Sequence, residues 1–225
     1  MIYKNIFGEV KILDEKIFNN KTIGISMSGG ADSTMLCYLC AMVIEKNNLN
    51  IRIQPFNGFD IHAHADSKNI PDIIKFIRQK FPKVDIRWPI STVYTNPKLE
   101  SVKNRYISDL THILETYKVY DIFVCAITLG PPIEIQKKFN TIDHNTILRL
   151  KGYSLYDELI DDQNNNIKKP FNKIDKRFII QSYKDHNIKE LLNMTESCIV
   201  INKCKKDKCW WCAEREWAIN EVYND

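Results

Sequence analysis

The chain has 225 residues, 44% of them hydrophobic and 27% charged, with a formal net charge of +4 at pH 7. These values are typical of one folded domain, or one domain with a small appendage, and they exclude a disordered or collagen-like chain. The longest apolar stretch, residues 35–44, is about half of the roughly 20 residues that a membrane-spanning helix needs, and the first residues lack the layout of a signal peptide. We therefore expect a cytoplasmic protein with no membrane partner.

Short strand-like runs alternate with longer helix-like runs along the chain. The predicted strands are 22–26, 50–56, 84–88 and 121–127, and the predicted helices are 31–46, 68–80, 97–117 and 173–185. This alternation predicts an α/β fold, a Rossmann-like doubly wound parallel sheet. An exposed loop is expected at 161–169. A last helix is expected near the C-terminus, where Trp217, Ile219 and Val222 recur at helical spacing and would pack on the body.

A turn with two adjacent glycines joins the first of these strands to the first helix. Successive backbone N–H groups and the positive end of the helix dipole face one point there, which predicts an anion-binding site. The turn lacks the lysine of a Walker loop and the spaced glycines of a dinucleotide fingerprint. Because a carboxylate beside phosphate is tolerated where it caps amides or faces Mg²⁺, Asp32 favours a Mg²⁺-nucleotide. The candidate binding residues are Ser26, Ser28, Gly29, Gly30, Ala31, Asp32 and Ser33.

The seven cysteines are unevenly distributed, with four near the C-terminus. These four are Cys198, Cys204, Cys209 and Cys212. Clustered thiols in a chain without a secretion signal favour metal ligation over disulfides, and four thiolates suit tetrahedral Zn²⁺. We expect a structural Zn²⁺ site, with an iron–sulfur cluster or unmetallated thiols as alternatives. Cys37, Cys40 and Cys125 are interpreted as core residues, although the first two could also form a redox pair.

The segment from Ser28 to Ser33, Ser-Gly-Gly-Ala-Asp-Ser, resembles the signature of the PP-loop ATP pyrophosphatases, which have the adenine nucleotide alpha hydrolase type of fold. The resemblance implies that this loop binds the β- and γ-phosphates of ATP. It also implies that a substrate oxygen attacks the α-phosphate, giving an adenylated intermediate and pyrophosphate. A nucleophile then displaces AMP.

Taken with the C-terminal cysteines, the loop is similar to that of the 7-cyano-7-deazaguanine synthase family. Supporting segments are 169–171, Lys-Pro-Phe, and 195–198, Thr-Glu-Ser-Cys. The resemblance implies 7-carboxy-7-deazaguanine, ammonia and ATP as substrates, a nitrile as product and a structural zinc. Two of the family's segments, Pro-Gly-Arg-Asn and Ser-Gly-Tyr-Pro-Asp-Cys-Arg, are missing here. The residues expected to face the substrate instead are 56–64 and 128–136, after the second and fourth predicted strands.

Two further side chains are weighed as catalytic candidates beside Asp32. His64 lies near a histidine of the resembled family and would donate or accept a proton, whereas an ordinary loop histidine is the alternative. Lys176 matches a family lysine and would contact phosphate. The alternative is an exposed helix lysine that pairs with Asp175 or Asp185.

The predicted organisation is a nucleotide-binding α/β domain at 1–195 followed by a zinc-binding segment and helix at 196–225, packed on the same domain. The expected partners are a deazapurine carboxylate and ammonia, and a homodimer is one option for the assembly. Alternatives are another PP-loop enzyme, which amidates a substrate or modifies transfer RNA, and a zinc module for nucleic acid. For that module, lysines interleaved with Trp210, Trp211 and Trp217 would serve as a stacking platform. Nucleic acid is not the favoured partner.

Overall fold

The computed structural model describes residues 1–60, 68–94, 119–139, 167–197 and 209–224. The elements are numbered among these residues. The strands are β1 (Ile2–Asn5), β2 (Gly8–Lys11), β3 (Thr22–Ser26), β4 (Arg52–Asp60), β5 (Ile90–Tyr94), β6 (Ile122–Val124) and β7 (Ile167–Lys168). The helices are α1 (Glu15–Phe18), α2 (Ala31–Lys46), α3 (Ile70–Lys80), α4 (Ile133–Gln136), α5 (Lys176–Asp185), α6 (Lys189–Met194) and α7 (Trp210–Tyr223).

Five strands form one parallel sheet in the order β5-β4-β3-β6-β7. Numbered along the chain within this sheet, the order is 3-2-1-4-5, as in Rossmann-like folds. The predicted α/β class and parallel sheet are therefore confirmed. The order reverses between β3 and β6, and ligands of such sheets bind beyond the carboxyl ends of the strands at this point.

The predicted third strand, 84–88, is wrong in position. Within it, Ile86 makes only an isolated parallel bridge to Ile53, and the edge strand β5 begins after Pro89. Pro89 has no N–H to donate, so the ladder stops before it and resumes where Ile90 pairs with Phe56. β4 is consequently longer than the 50–56 predicted for it.

The other predicted elements differ mainly in length. The strand predicted at 121–127 is confirmed but shorter, as β6, and the helices predicted at 31–46, 68–80 and 173–185 correspond to α2, α3 and α5. The antiparallel β1–β2 hairpin and the short α1 were not predicted. The helix predicted at 97–117 and most of the loop predicted at 161–169 lie outside the described residues.

Helix α2 is buried along most of its length and forms the centre of the helical layer. It contacts α3 and α5, and α5 in turn packs against α7. On α7, Ala218 and Val222 are buried, and Trp217 and Ile219 pack against the same core. The predicted last helix and its packing on the body are therefore confirmed. In the described part of the chain, no helix is both long and apolar enough to cross a membrane.

Candidate nucleotide site

The glycine turn lies between β3 and α2, at the carboxyl end of the sheet and beside the point where the strand order reverses. Gly29 has a φ of 76°, in the left-handed region that favours glycine. Gly30 is the N-cap of α2 and provides no side-chain cap. A Cβ at Gly30 would lie 3.2 Å from Ser28 Oγ and 3.4 Å from Glu196 O. Glycine at 29 is therefore favoured by its conformation, and a side chain at 30 would press on Ser28 and Glu196.

Hydrogen bonds between the two serines hold the turn in shape. Ser28 N donates to Ser33 Oγ at 3.1 Å, and Gly30 N donates to Ser28 Oγ at 3.3 Å. The intrahelical bonds start only with Thr34 N donating to Gly30 O, at 3.2 Å. The N–H groups of Ala31, Asp32 and Ser33 therefore have no acceptor within the helical hydrogen-bond ladder. They form the positive end of a 16-residue helix. This is the geometry of an anion-binding turn.

A buried group of charged side chains from three helices lies beside this turn. Lys176 Nζ contacts Asp32 Oδ2 and lies 3.5 Å from Glu214 Oε2. The side chains are 5% exposed for Lys176, 20% for Asp32 and 0% for Glu214. Two carboxylates thus face one ammonium group, and we call these three residues the charge cluster.

Helix α5 is tied to α2, which fixes the position of Lys176. Asp175 caps α5 by accepting from Arg177 N at 2.9 Å, so Lys176 is the first residue of the helix. Seven residues later, the Tyr183 hydroxyl donates to Ala31 O at 2.9 Å, and burial raises the pKa of Tyr183 well above its usual value. A lysine at the positive end of a helix is repelled by the helix dipole, and burial of its ammonium group is unfavourable. The two carboxylates offset both effects.

The structure corrects the local pairing considered for Lys176. Asp175 pairs with Arg177, at 2.7 Å from Arg177 Nη2, and Asp185 accepts from Gln181 and Tyr3. Lys176 is buried and reaches Asp32, 144 residues away in sequence. The interpretation of Lys176 as an exposed helix lysine is therefore wrong.

A second set of contacts joins the turn to the C-terminal helix. Glu196 N donates to Gly29 O at 3.0 Å, and Asn69 Nδ2 bridges Gly29 O and Met194 O at 3.0 and 2.7 Å. Arg215 of α7 donates to Thr195 O at 2.8 Å and to Leu192 O at 2.7 Å. Burial lowers the pKa of Arg215. No pattern in the sequence pointed to Asn69, Glu214 or Arg215.

The chain after β6 is anchored next to this site. Leu129 N donates to Ile174 O at 2.8 Å, just before α5, and the buried Gln136 donates to Pro131 O at 2.6 Å. The Phe139 ring meets the Trp210 ring edge-on, with 6.0 Å between centroids. The expectation that 128–136 faces a substrate stays a prediction.

Two of the four C-terminal cysteines can be placed. Cys209 is buried and is the N-cap of α7, and Cys212 lies in the first turn and is partly exposed. Cys198, Cys204 and His64 lie outside the described residues. Within the described ranges, no group of three or more metal-ligating side chains occurs. The Zn²⁺ site therefore stays a prediction.

The other cysteines belong to the core, as expected. Cys37, Cys40 and Cys125 are buried, and burial raises the thiol pKa of Cys37 and of Cys125 to about 12. Thiols of this kind are protonated at neutral pH and are poor nucleophiles. Their environment gives no support to the redox-pair alternative for Cys37 and Cys40.

No protein-family model matches this sequence, and no curated protein matches it either. Among solved structures, the chain is similar to a U34-tRNA thiolase, NcsA, from Methanococcus maripaludis with its [4Fe-4S] cluster. That match has a TM-score of 0.49 and 11% identity over 94% of this chain and 70% of the other. A universal stress protein in complex with cAMP matches at a TM-score of 0.31 and 12% identity, over 48% and 71% of the two chains. Similarities this low assign no family, ligand or reaction to the chain.

Proposed function

We propose that the protein is an ATP-dependent enzyme of the PP-loop type, which adenylates a substrate oxygen and releases pyrophosphate. The observation that carries the proposal is the turn with the sequence Ser-Gly-Gly-Ala-Asp-Ser, at the carboxyl end of β3 and beside the buried charge cluster. The turn supplies amide and hydroxyl donors for phosphate, and Lys176 supplies a positive charge. We propose Lys176 as a phosphate contact that changes partner when ATP binds.

The donor set fits a divalent cation accompanying the nucleotide. Asp32 Oδ1 is buried, and no hydrogen-bond donor among the described residues reaches it. A buried carboxylate oxygen without a hydrogen-bond donor, beside an anion-binding turn, suits Mg²⁺. This ion prefers oxygen ligands and is commonly held by one or two carboxylates together with phosphates. When bound, Mg²⁺ would neutralise charge on the phosphates. Asp32 is the residue that would hold it.

The chain's own residues would act by positioning and electrostatics. The amides of residues 31–33 and the Ser28 hydroxyl would hold the β- and γ-phosphates, keeping the α-phosphate open to an in-line substrate oxygen. The same donors would stabilise the pyrophosphate as the bond to the α-phosphate breaks. The favoured reaction remains the conversion of 7-carboxy-7-deazaguanine to 7-cyano-7-deazaguanine with ammonia and ATP. Ammonia would displace AMP from the adenylated carboxylate to give the amide, and adenylation of the amide oxygen by a second ATP, followed by loss of AMP, would give the nitrile. His64 remains a candidate proton carrier for it.

The nucleic-acid module is less well supported than the enzyme. Trp210 is 1% exposed, and Trp217 packs against the core with the Arg177 guanidinium 5.1 Å from its ring centre. Neither of these rings offers a free face on which a base could stack. The stacking platform suggested for this alternative is therefore reduced to Trp211.

The test is mass-spectrometric detection of AMP, pyrophosphate and nitrile after incubation with Mg²⁺-ATP, ammonium and 7-carboxy-7-deazaguanine. Ser28→Ala and Gly30→Val should each lower AMP formation at least a hundredfold, because one removes a donor and the other fills the turn. Ser182→Ala, on α5 and two turns from Lys176, is the matched control and should keep the activity. AMP without nitrile would retain the adenylation chemistry and indicate amide formation or another acceptor. Unchanged turnover in both loop variants would reject the loop assignment.

A further inference from the structure

The side chain of Asn69 holds the carbonyl group of Gly29 in the glycine turn. Asn69 Nδ2 donates to Gly29 O at 3.0 Å and to Met194 O at 2.7 Å. Gly29 O also accepts from Glu196 N at 3.0 Å. Two donors from two separate segments, the start of α3 and the chain after α6, therefore fix the direction of one carbonyl group.

Asn69 does not play the role that is common at its position. It is the N-cap of α3, where an asparagine side chain ordinarily accepts from an N–H group of the first turn. Here it makes no capping bond, and no donor among the described residues reaches its buried Oδ1. A buried acceptor without a donor is unfavourable. Among the described contacts, the side chain therefore uses its NH2 group alone, toward the two carbonyl groups.

The peptide held by this contact is the one in the turn that can rotate most easily. It joins Gly29 to Gly30. Rotating a peptide changes ψ of the residue before it and φ of the residue after it, and both residues here lack a Cβ. Gly29 already has a φ of 76°, and a rotation would carry φ of Gly30 from −81° to positive values, which glycine tolerates. The two glycines that form the turn therefore also leave this peptide free to flip.

The direction of this peptide matters for an anion. The C=O and N–H groups of a trans peptide point in opposite directions. With Gly29 O held by Asn69, Gly30 N points into the turn, where it donates to Ser28 Oγ at 3.3 Å. After a flip, Gly29 O would point into the turn in its place. A carbonyl oxygen carries a partial negative charge and would repel phosphate where N–H groups must attract it.

We propose that Asn69 is a positioning residue that holds the Gly29–Gly30 peptide in the orientation that binds phosphate. This inference rests on the proposed function and adds a residue of α3 to the nucleotide site. Asn69 acts through the peptide. It keeps a carbonyl oxygen out of the turn, so the turn is preorganised before ATP binds.

A purely structural role for Asn69 predicts different behaviour. Met194 is the last residue of α6, and its carbonyl has no partner within the helix. A structural asparagine would satisfy this carbonyl and join α3 to α6. Its removal would lower stability but leave the turn, and therefore its affinity for ATP, unchanged. Removal of a residue that orients the peptide would also release the peptide between Gly29 and Gly30.

The experiment measures Mg²⁺-ATP binding to the full chain by calorimetry. Amide relaxation dispersion, which detects motions of microseconds to milliseconds, reports on the Gly30 amide. Asn69→Ala removes the donor. Asn69→Ser is a second variant in case the first does not fold, because serine is a good N-cap residue but is too short to bridge both carbonyls. Asn5→Ala is the matched control, since Asn5 Nδ2 bridges Phe178 O and Ser182 Oγ at 3.0 and 3.2 Å on the β1–β2 hairpin.

We expect both Asn69 variants to weaken ATP binding about threefold to tenfold, the effect of one ordinary hydrogen bond, and to show exchange at the Gly30 amide. Asn5→Ala should lower the melting temperature as they do but leave the affinity and the Gly30 amide unchanged. Unchanged affinity in the Asn69 variants, or weaker affinity without exchange at Gly30, would overturn the inference and leave the proposed function standing. Failure of the unaltered protein to bind Mg²⁺-ATP would overturn both.

Discussion

Two groups of charged residues at opposite ends of the sheet differ in how they are solvated. At the amino end, Asp85 pairs with Arg52 at 2.6 Å and with Arg87 at 3.1 Å, and all three side chains are about half exposed. At the carboxyl end, the charge cluster has the opposite composition, with two carboxylates and one cation, and is almost entirely buried. Exposed pairs contribute little to stability, whereas buried charges must be compensated or they destabilise the fold.

The two groups differ in what it costs the folded state to keep them. Exposed ion pairs such as those of Asp85 form readily wherever opposite charges meet and can be lost at little cost. A buried cluster with an excess of one charge is retained against a desolvation cost, and such arrangements concentrate at functional sites. The neighbouring anion-binding turn gives this cluster its functional interpretation.

The largest effect on stability is expected from removing the buried cation, Lys176, and a much smaller one from removing an exposed cation. Lys176→Met leaves Asp32 and Glu214 without the ammonium group between them, so the free energy of unfolding should fall by about 3–5 kcal/mol. Arg52→Met removes one exposed partner of Asp85 and should cost at most about 1 kcal/mol. Urea denaturation of both variants measures the difference. Equal losses would show that the burial of the cluster has no energetic consequence.

A smaller effect is expected from Arg215, which is partly buried and donates mainly to backbone carbonyls. Arg215→Ala removes the donors to Thr195 O and Leu192 O, and hydrogen bonds that involve a charged group contribute about 1.5–3 kcal/mol each. We expect a loss of about 2–4 kcal/mol in the free energy of unfolding, less than their sum because water can enter the site. Hydrogen exchange should also accelerate at the Glu196 amide, which donates to Gly29 O.

Arg78→Ala is the matched control for this prediction. Arg78 is exposed, and its guanidinium lies 4.8 Å from the ring centre of Trp88, a contact of about 0.5–1 kcal/mol at an exposed site. It should cost less than about 1 kcal/mol and leave exchange at Glu196 unchanged. A loss of stability for Arg215→Ala no larger than that for Arg78→Ala would show that α7 does not stabilise the glycine turn.

The sequence predicts the local features of the site but not the contacts between its distant helices. The strand, turn and helix that form the anion-binding turn are continuous in sequence, and their periodicity and glycines locate them fully. Sequence spacing suggests Asp175 or Asp185 as partners of Lys176, whereas Asp32 of α2 and Glu214 of α7 contact it in the structure. Contacts that join distant helices depend on how the helices pack, and a single sequence carries no local signal for them.

The misplaced third strand has a different physical cause. The apolar residues of 84–88 suit a strand, and Ile86 does touch β4, but Pro89 interrupts the hydrogen-bond ladder. Pairing then resumes with Ile90, which lies opposite Phe56 in the middle of β4. A proline inside or beside an apolar run should therefore count as a break in the ladder, with the strand to be sought on either side of it.

The smallest effect is expected from His186, a single ionisable side chain that is partly buried without a buried counter-charge. It stacks on Tyr3, with 5.4 Å between ring centroids, and lies 5.3 Å from the ring of Tyr38. Burial lowers the pKa of His186 below its usual 6.5, Asp185 acts in the opposite direction, and Lys80 adds to the lowering. The folded state therefore resists a proton that the unfolded state accepts near pH 6.5.

Because the unfolded chain binds this proton first, the contribution of His186 to stability is complete above about pH 6.5 and is lost as the pH falls below it. His186→Phe keeps an aromatic ring between the two tyrosines and removes the titration. The melting temperature of the unaltered protein should therefore fall more steeply from pH 7 to pH 5.5 than that of His186→Phe. Tyr3→Phe keeps the ring stack and the histidine, and it should follow the unaltered protein. If all three proteins showed the same slope, the partial burial of the imidazole would have no measurable effect on stability.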